Sequence, residues 1–284
     1  MSTIVEAPPT DDADRLPLPS TLSPSKISTF TDCALRFRFS AIDRLPEAPS
    51  VPATRGSAVH RVLEHLFRRP AAERTMPAAL EDLATTRVEV EAWDDYTGLG
   101  LTDEDAAAFW ADAERLVERY FTMEDPTQIN AVGLEVMLGT DLGGVQLRGI
   151  IDRLDWVGPG QLVVVDYKTG KAPHPRYEQG ATTGVKTYAL LVQQVLGVLP
   201  VRIRLIYLGG DEPTELAFTV TEQKVRAMSR KATAVWVAIE RAHATDGFRP
   251  NSGPLCEWCS FQAYCPAFGG DPAEARRVVV EPPA

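Results

Sequence analysis

The chain has 284 residues, 44% of them hydrophobic and 24% charged, the composition of an ordinary globular protein able to bury a substantial core. Its formal net charge of −10 argues against a general nucleic-acid coat, because phosphates repel an acidic surface unless basic residues are gathered locally. No apolar run reaches the ~20 residues that cross a bilayer, and no basic-then-apolar leader opens the chain, so a cytoplasmic location is the expectation.

In chain order, residues 1–21 are rich in Pro, Asp, Ala and Ser and read as a disordered tail. Ser23 or Ser25 caps a first helix whose apolar stripe is Ile27, Phe30 and Leu35. A second helix follows Gly56, with Val59, Val62, Leu63, Leu66 and Phe67 at helical spacing. Residues 78–93 and 103–124 read as further helices. The period then falls to two. Residues 132–138, 145–156 and 161–168 are expected as strands, joined by turns at Gly143-Gly144 and Gly158-Pro159-Gly160. A helix over 180–196, strands over 201–208 and 215–220, a helix over 221–244 and a second tail from Gly270 complete the order. Helices, a three-strand meander, a helix, two strands and a helix predict an α/β or α+β layer fold with a mixed sheet.

The hairpin is the most informative stretch, although its short motif is weak by itself. If it is centred on Pro159, Asp152 and Asp166 lie directly opposite one another, with Cβ atoms ~5 Å apart. Lys168 emerges on the face of Asp166, because strand side chains alternate. Two carboxylates that close are unfavourable without a cation between them, and a hard divalent ion with oxygen ligands is the natural occupant. Such an ion suits phosphodiester hydrolysis, with Lys168 steadying the water or the developing charge. The competing reading is a surface hairpin with weak ion pairs, which are common. His60 and Glu64 share one face of the second helix; His60 can complete a metal shell, and Glu64 can be a ligand or a partner behind it. Alone, His60 would more often be structural.

The chain has four cysteines: Cys33 near the first helix, and Cys256, Cys259 and Cys265 in a C-x2-C-x5-C cluster followed by Pro266. Four thiolates complete one iron–sulfur or zinc site. The one-plus-three split and the proline favour iron; two disulfides would be odd in a cytosolic chain. The site would join positions more than two hundred residues apart, and closing so long a loop should contribute several kcal/mol by analogy with cross-links.

Together these segments resemble the RecB-like exonucleases of the PD-(D/E)XK superfamily, the kind that includes the AddB nuclease domain and cluster-binding CRISPR-associated nucleases. The resemblance runs from Ser23 to Pro266. It is carried by Ser23-x-Ser25 with Phe30 and Cys33, Gly56-Ser57-Ala58-Val59-His60, Gly149-Ile150-Ile151-Asp152-Arg153, Asp166-Tyr167-Lys168-Thr169-Gly170 and the three late cysteines. It implies a restriction-endonuclease-like fold with a nuclease domain over 22–269 and tails at 1–21 and 270–284. It further implies that His60, Asp152, Asp166 and the Tyr167 carbonyl hold Mg2+ or Mn2+, that Lys168 assists attack, and that Cys33, Cys256, Cys259 and Cys265 hold a [4Fe-4S] cluster. Tyr188 resembles the substrate-facing tyrosine of a Gln-Leu-x-x-Tyr helix, but Gly184 and Val185 replace the Gln and Leu.

The expected function is metal-dependent DNA cleavage, at single strands or free ends, in repair, recombination or foreign-DNA processing, with a helicase or recombination protein as companion. Arg36, Arg38 and Arg153 are candidates to meet phosphates. The alternatives are a catalytically weak nuclease-fold scaffold, which Gly184 would suit, and a zinc-stabilised enzyme of unrelated chemistry.

Overall fold

Helices give way to strands between residues 123 and 131, where the hydrophobic period changes. The structure, a computed structural model, describes residues 16–176, 178 and 183–275. It divides into two compact units.

The larger unit takes residues 21–28 and 47–237. It receives the first turns of α1 (Pro24–Asp32). α2 (Val51–Arg68) starts five residues before Gly56, because Pro52 fits a first turn whose N–H groups have no helical acceptor. α3 (Met76–Val90) and α4 (Asp103–Met123) are capped by Thr75 and Thr102, whose side chains accept from the N–H groups of Ala78 and Asp105. Asp103, Glu104 and Asp105 in the first turn of α4 also suit its dipole. The buried stripes of these helices close on Val163, Val165 and Tyr167 of the sheet to form one core.

The sheet runs β1 (Ala131–Asp141), β2 (Gln146–Gly158), β3 (Gln161–Lys168), β4 (Arg202–Tyr207) and β5 (Thr214–Thr219), in that spatial order. All neighbours are antiparallel except β3 and β4. α5 (Thr187–Leu196) crosses from β3 to the parallel β4, and α6 (Glu222–Ala244) follows β5. The mixed sheet flanked by helices is the restriction-endonuclease-like architecture the sequence predicts. The helix expected over 180–196 begins at Thr187 instead; residues 179–182 lie outside the described ones.

Two registers position the site. β2 and β3 pair Arg153 with Val165 and Leu154 with Val164, a register that sets Asp152 and Asp166 opposite one another just beyond the last paired residues. β1 and β2 pair Leu134 with Arg153 and Val136 with Ile151, which sets Glu135 beside Asp152.

The smaller unit takes 29–46 and 238–275, with 16–20, among the described residues. Phe37 packs edge-on to Phe30 at 5.4 Å and stacks near Phe248 at 6.4 Å. Phe39 packs against Phe261. Most of the two expected tails lies outside the described residues.

Candidate active site

Gly149 shows how closely the site is framed. A Cβ there would stand 2.9 Å from Leu191 Cδ1 and 3.1 Å from Tyr188 Cε1, so the missing side chain lets α5 lie against β2. Tyr188 is thereby brought beside the carboxylates: burial, then Asp166, Asp152 and Glu135, raise its phenol, which stays neutral.

His60 on α2 reaches across to the sheet. Its Nε2 lies 3.1 Å from the Tyr167 carbonyl oxygen and its Nδ1 3.5 Å from Asp152 Oδ2. The Tyr167 N–H donates to the same Asp152 Oδ2 at 2.7 Å. His60, Glu135 and Asp152 each offer a ligand atom, all within 4.8 Å of one another. A nitrogen and two carboxylate oxygens at that spacing suit a hard divalent cation.

The sequence reading missed Glu135. It stands at φ 48°, uncommon for a residue with a Cβ and a strain that tends to collect at functional sites. Burial, with Asp152 and Glu64 nearby, pushes its carboxyl up to about 7. Counting outward from the Gly143-Gly144 turn would have found it, as counting from Pro159 found the Asp152–Asp166 pair.

Asp166 is 2% exposed, and burial followed by the Asp152 charge pushes it up to about 6. Its Oδ2 lies 2.5 Å from Lys168 Nζ, which pairs the carboxylate with an ammonium. Lys168 stays an ammonium: burial lowers it, but Asp166 and Asp152 outweigh that and raise it overall. Glu64 is taken by two arginines, Arg61 at 2.8 Å and Arg68 at 2.5 Å, and acts on the site through its charge on Glu135. His60, Glu64, Glu135 and Lys168 line a cleft of about 550 Å3, together with Gly56, Trp93 and others.

Two of the arginines nominated for phosphate are buried instead. Arg153 is 0% exposed, paired with Glu124 at 2.9 Å and Asp155 at 2.8 Å, and donates to the Tyr167 hydroxyl. Arg38 is buried and paired with Asp43 at 3.0 Å. Desolvation makes such charges need protein partners, which these have.

The four cysteines are free and all line one cavity of the smaller unit. They do not converge as a single-ion cage: among the described residues no three thiols fall within 4.8 Å of one another. Gly253 N–H donates to Cys256 Sγ at 3.3 Å, a bond suited to a thiolate.

Gly184, where the resemblance expects Gln, lies before α5 in a turn. A Cβ there would meet the Pro24 carbonyl oxygen at 2.8 Å and Ser28 Oγ at 2.9 Å, so no longer side chain fits.

A mixed sheet with acidic groups and a lysine gathered at the adjoining ends of its strands, open to a cleft, is the framework of a metal-dependent nuclease. The chain belongs to the PD-(D/E)XK nuclease superfamily, whose sequence profile matches residues 21–266. It is similar to the Gene 69 protein of Mycobacterium phage D29, 24% identical across 89% of this chain and 98% of that protein. The Gene 69 protein of Mycobacterium phage L5 is 23% identical, across 91% and 99% of the two chains. A candidate exonuclease from Eubacterium rectale shares the fold, with a TM-score of 0.54 and 15% identity over 84% of this chain and 87% of that one. Among the described residues no helix is long and apolar enough to cross a membrane.

Proposed function

We propose that the protein is a RecB-like deoxyribonuclease that uses Mg2+ or Mn2+ to cut DNA at single strands or free ends, in repair, recombination or processing of foreign DNA. The observation that carries this reading is the meeting of His60, Glu135 and Asp152 within 4.8 Å of one another, beside the Asp166–Lys168 ion pair. Three of these five groups come from one motif pair on a hairpin, and the other two from different elements. Convergence of that kind is hard to explain as a solvated surface.

In this reading His60, Glu135, Asp152, Asp166 and the Tyr167 carbonyl hold the cation. When bound, the ion activates water and neutralises the scissile phosphate. Lys168, held as an ammonium, stabilises negative charge on the phosphate. Tyr188 keeps its proton and donates to a phosphate oxygen or a base.

Cys33, Cys256, Cys259 and Cys265 are proposed to hold a [4Fe-4S] cluster with a structural role. What supports this is that all four line one cavity of the smaller unit. Iron, sulfide and zinc analysis of anaerobically purified protein tests it; one zinc and no iron would overturn it.

The test of the nuclease reading is cleavage of end-labelled single-stranded and duplex DNA by anaerobically prepared protein, with Mg2+, Mn2+ or EDTA, beside Lys168→Ala. Metal-dependent cutting by the wild type and none by the variant is expected. DNA binding without cutting in either metal would replace it with the scaffold reading.

A further inference from the structure

The larger unit has a second cavity, of about 350 Å3, between α5, the β4–β5 pair and α6. That is within the size range of small-ligand sites, which combine an apolar lining with a few polar groups. Here the apolar part includes Ala189, Ile203, Phe218, Val225 and Met228, and the polar part includes Lys186, Lys224 and Lys231. The chain has only six lysines, so half of them meet at this cavity, in a protein of net charge −10.

The three ammonium groups arrive from separate places. Lys186 is the N-cap residue of α5, and Lys224 and Lys231 stand two turns apart on α6, hence on one face. Lys186 Nζ sits 5.0 Å from the centroid of the Phe218 ring, and Lys224 Nζ donates to the Thr219 carbonyl at 2.6 Å. Neither contact neutralises a charge. Burial pushes the Lys186 ammonium below its ordinary range; Glu178 works against this, and Lys224 and Lys231 add to it. By contrast, most arginines near the carboxylate cleft and in the core are tied to acids: Arg61, Arg68, Arg153 and Arg204 all have carboxylate partners. Among the described residues none of these three lysines forms such a pair. Lys224 is exposed and Lys186 and Lys231 are half-buried, so water carries part of this charge, and an anion in the cavity would relieve the mutual repulsion of the three.

We propose that this cavity binds a nucleotide, its phosphate held by Lys186, Lys224 and Lys231 and its base laid on the apolar lining. A phosphomonoester carries nearly two negative charges at neutral pH, which three ammonium groups match better than they match a single carboxylate. The nucleotide is either a free nucleoside monophosphate or the phosphorylated end of a strand; both present the same chemistry. Tyr188, turned toward the carboxylates, lies two residues from Lys186, so an occupied cavity would sit on the same short segment that frames the cleft. The site does not depend on the cleavage reading, since the binding needs no divalent ion.

The experiment is calorimetric titration of the full chain in EDTA with dAMP, adenosine and a 5′-phosphorylated oligonucleotide. The expected result is saturable binding of dAMP, at least tenfold weaker binding of adenosine, and at least a tenfold loss in a Lys224→Ala/Lys231→Ala double variant with an unchanged circular dichroism spectrum. Asp166→Asn is expected to bind dAMP as the wild type does. Equal binding of adenosine, no loss in the double variant, or a loss in Asp166→Asn would overturn the proposal. An oligonucleotide that displaces dAMP identifies the strand end as the ligand, and one that does not identifies the free nucleotide. Because no metal is present, failure here leaves a measured nuclease activity standing, and failure of cleavage leaves the nucleotide site standing.

Discussion

The backbone N–H of Tyr167 donates to Asp152 Oδ2 at 2.7 Å, so the strand that carries Asp166 also holds the opposing carboxylate in place. The bond needs an oxygen acceptor at residue 152 but not a charge. Asp152→Asn is therefore expected to fold with nearly unchanged thermal stability while losing cation binding. Cleavage should fall by roughly 10²–10³-fold, the scale on which one electrostatic contributor acts. Paired melting curves and DNA cleavage rates check this; a variant that still cuts at more than a tenth of the wild-type rate contradicts it.

Glu135 makes the metal-free protein sensitive to pH. Its folded-state carboxyl is raised to about 7 from an ordinary value of 4.5, so between those values the folded chain binds more protons than the unfolded one. Stability contributed through this group is present at acidic pH and declines as pH rises toward 7. Glu135→Gln, which cannot ionise, should melt higher than the wild type in EDTA at pH 8 and no higher at pH 4.5. With Mg2+ or Mn2+ added at pH 8 the wild type should gain more than the variant, because the cation takes over the proton's role. Differential scanning calorimetry at the two pH values reads both effects.

Gly149→Ala places a methyl group 2.9 Å from Leu191 Cδ1 and 3.1 Å from Tyr188 Cε1. Both neighbours belong to α5, which must shift outward. Overpacking of this kind costs about 1–3 kcal/mol, and it should also lower cleavage by moving Tyr188. Urea unfolding and a rate measurement test the two consequences; a fully stable variant would show that the α5 contact is loose.

Restoring the glutamine expected by the resemblance should fail. A side chain at residue 184 meets the Pro24 carbonyl oxygen at 2.8 Å, and a backbone atom cannot swing away as a side chain can. Gly184→Gln is expected to lower the melting temperature and give no gain in cleavage. Enhanced cleavage would mean that the turn before α5 rearranges to place the glutamine in the cleft.

Arg153→Met removes the cation from a pocket that also holds Glu124 and Asp155. Losing one partner of a buried pair costs about 3–5 kcal/mol, because the other charges remain desolvated. Arg204 still reaches Glu124, so the lower part of that range is expected. The urea midpoint should drop accordingly, and a variant as stable as the wild type would show that the pocket rehydrates.

Much of this arrangement is legible in the sequence because it is local. A two-residue period and a Gly-Pro-Gly turn determine which strand residues face each other, so Asp152 and Asp166 could be paired by counting, and Lys168 assigned to the face of Asp166. The helical spacing of Val59, Val62, Leu63 and Leu66 likewise settles which side of α2 is buried, and so where His60 points. The number and spacing of the four cysteines point to a common ligand, and the tertiary structure adds that all four line one cavity.

What the tertiary structure alone decided is which charges are left without protein partners. Arg153 reads from sequence as a phosphate contact, but Glu124, twenty-nine residues away, claims it in the core. Three lysines scattered from 186 to 231 show no pattern along the chain until α5 and α6 bring them to one cavity. Glu135 lies between these cases, since its turn-counted position was available but its turned backbone and neutral-range carboxyl come from burial beside Asp152 and Glu64. Periodicity determines the face a residue occupies, because it is a property of the local backbone. Whether a charge is solvated, paired or held open for a ligand depends on groups distant in the chain, and only folding brings those together.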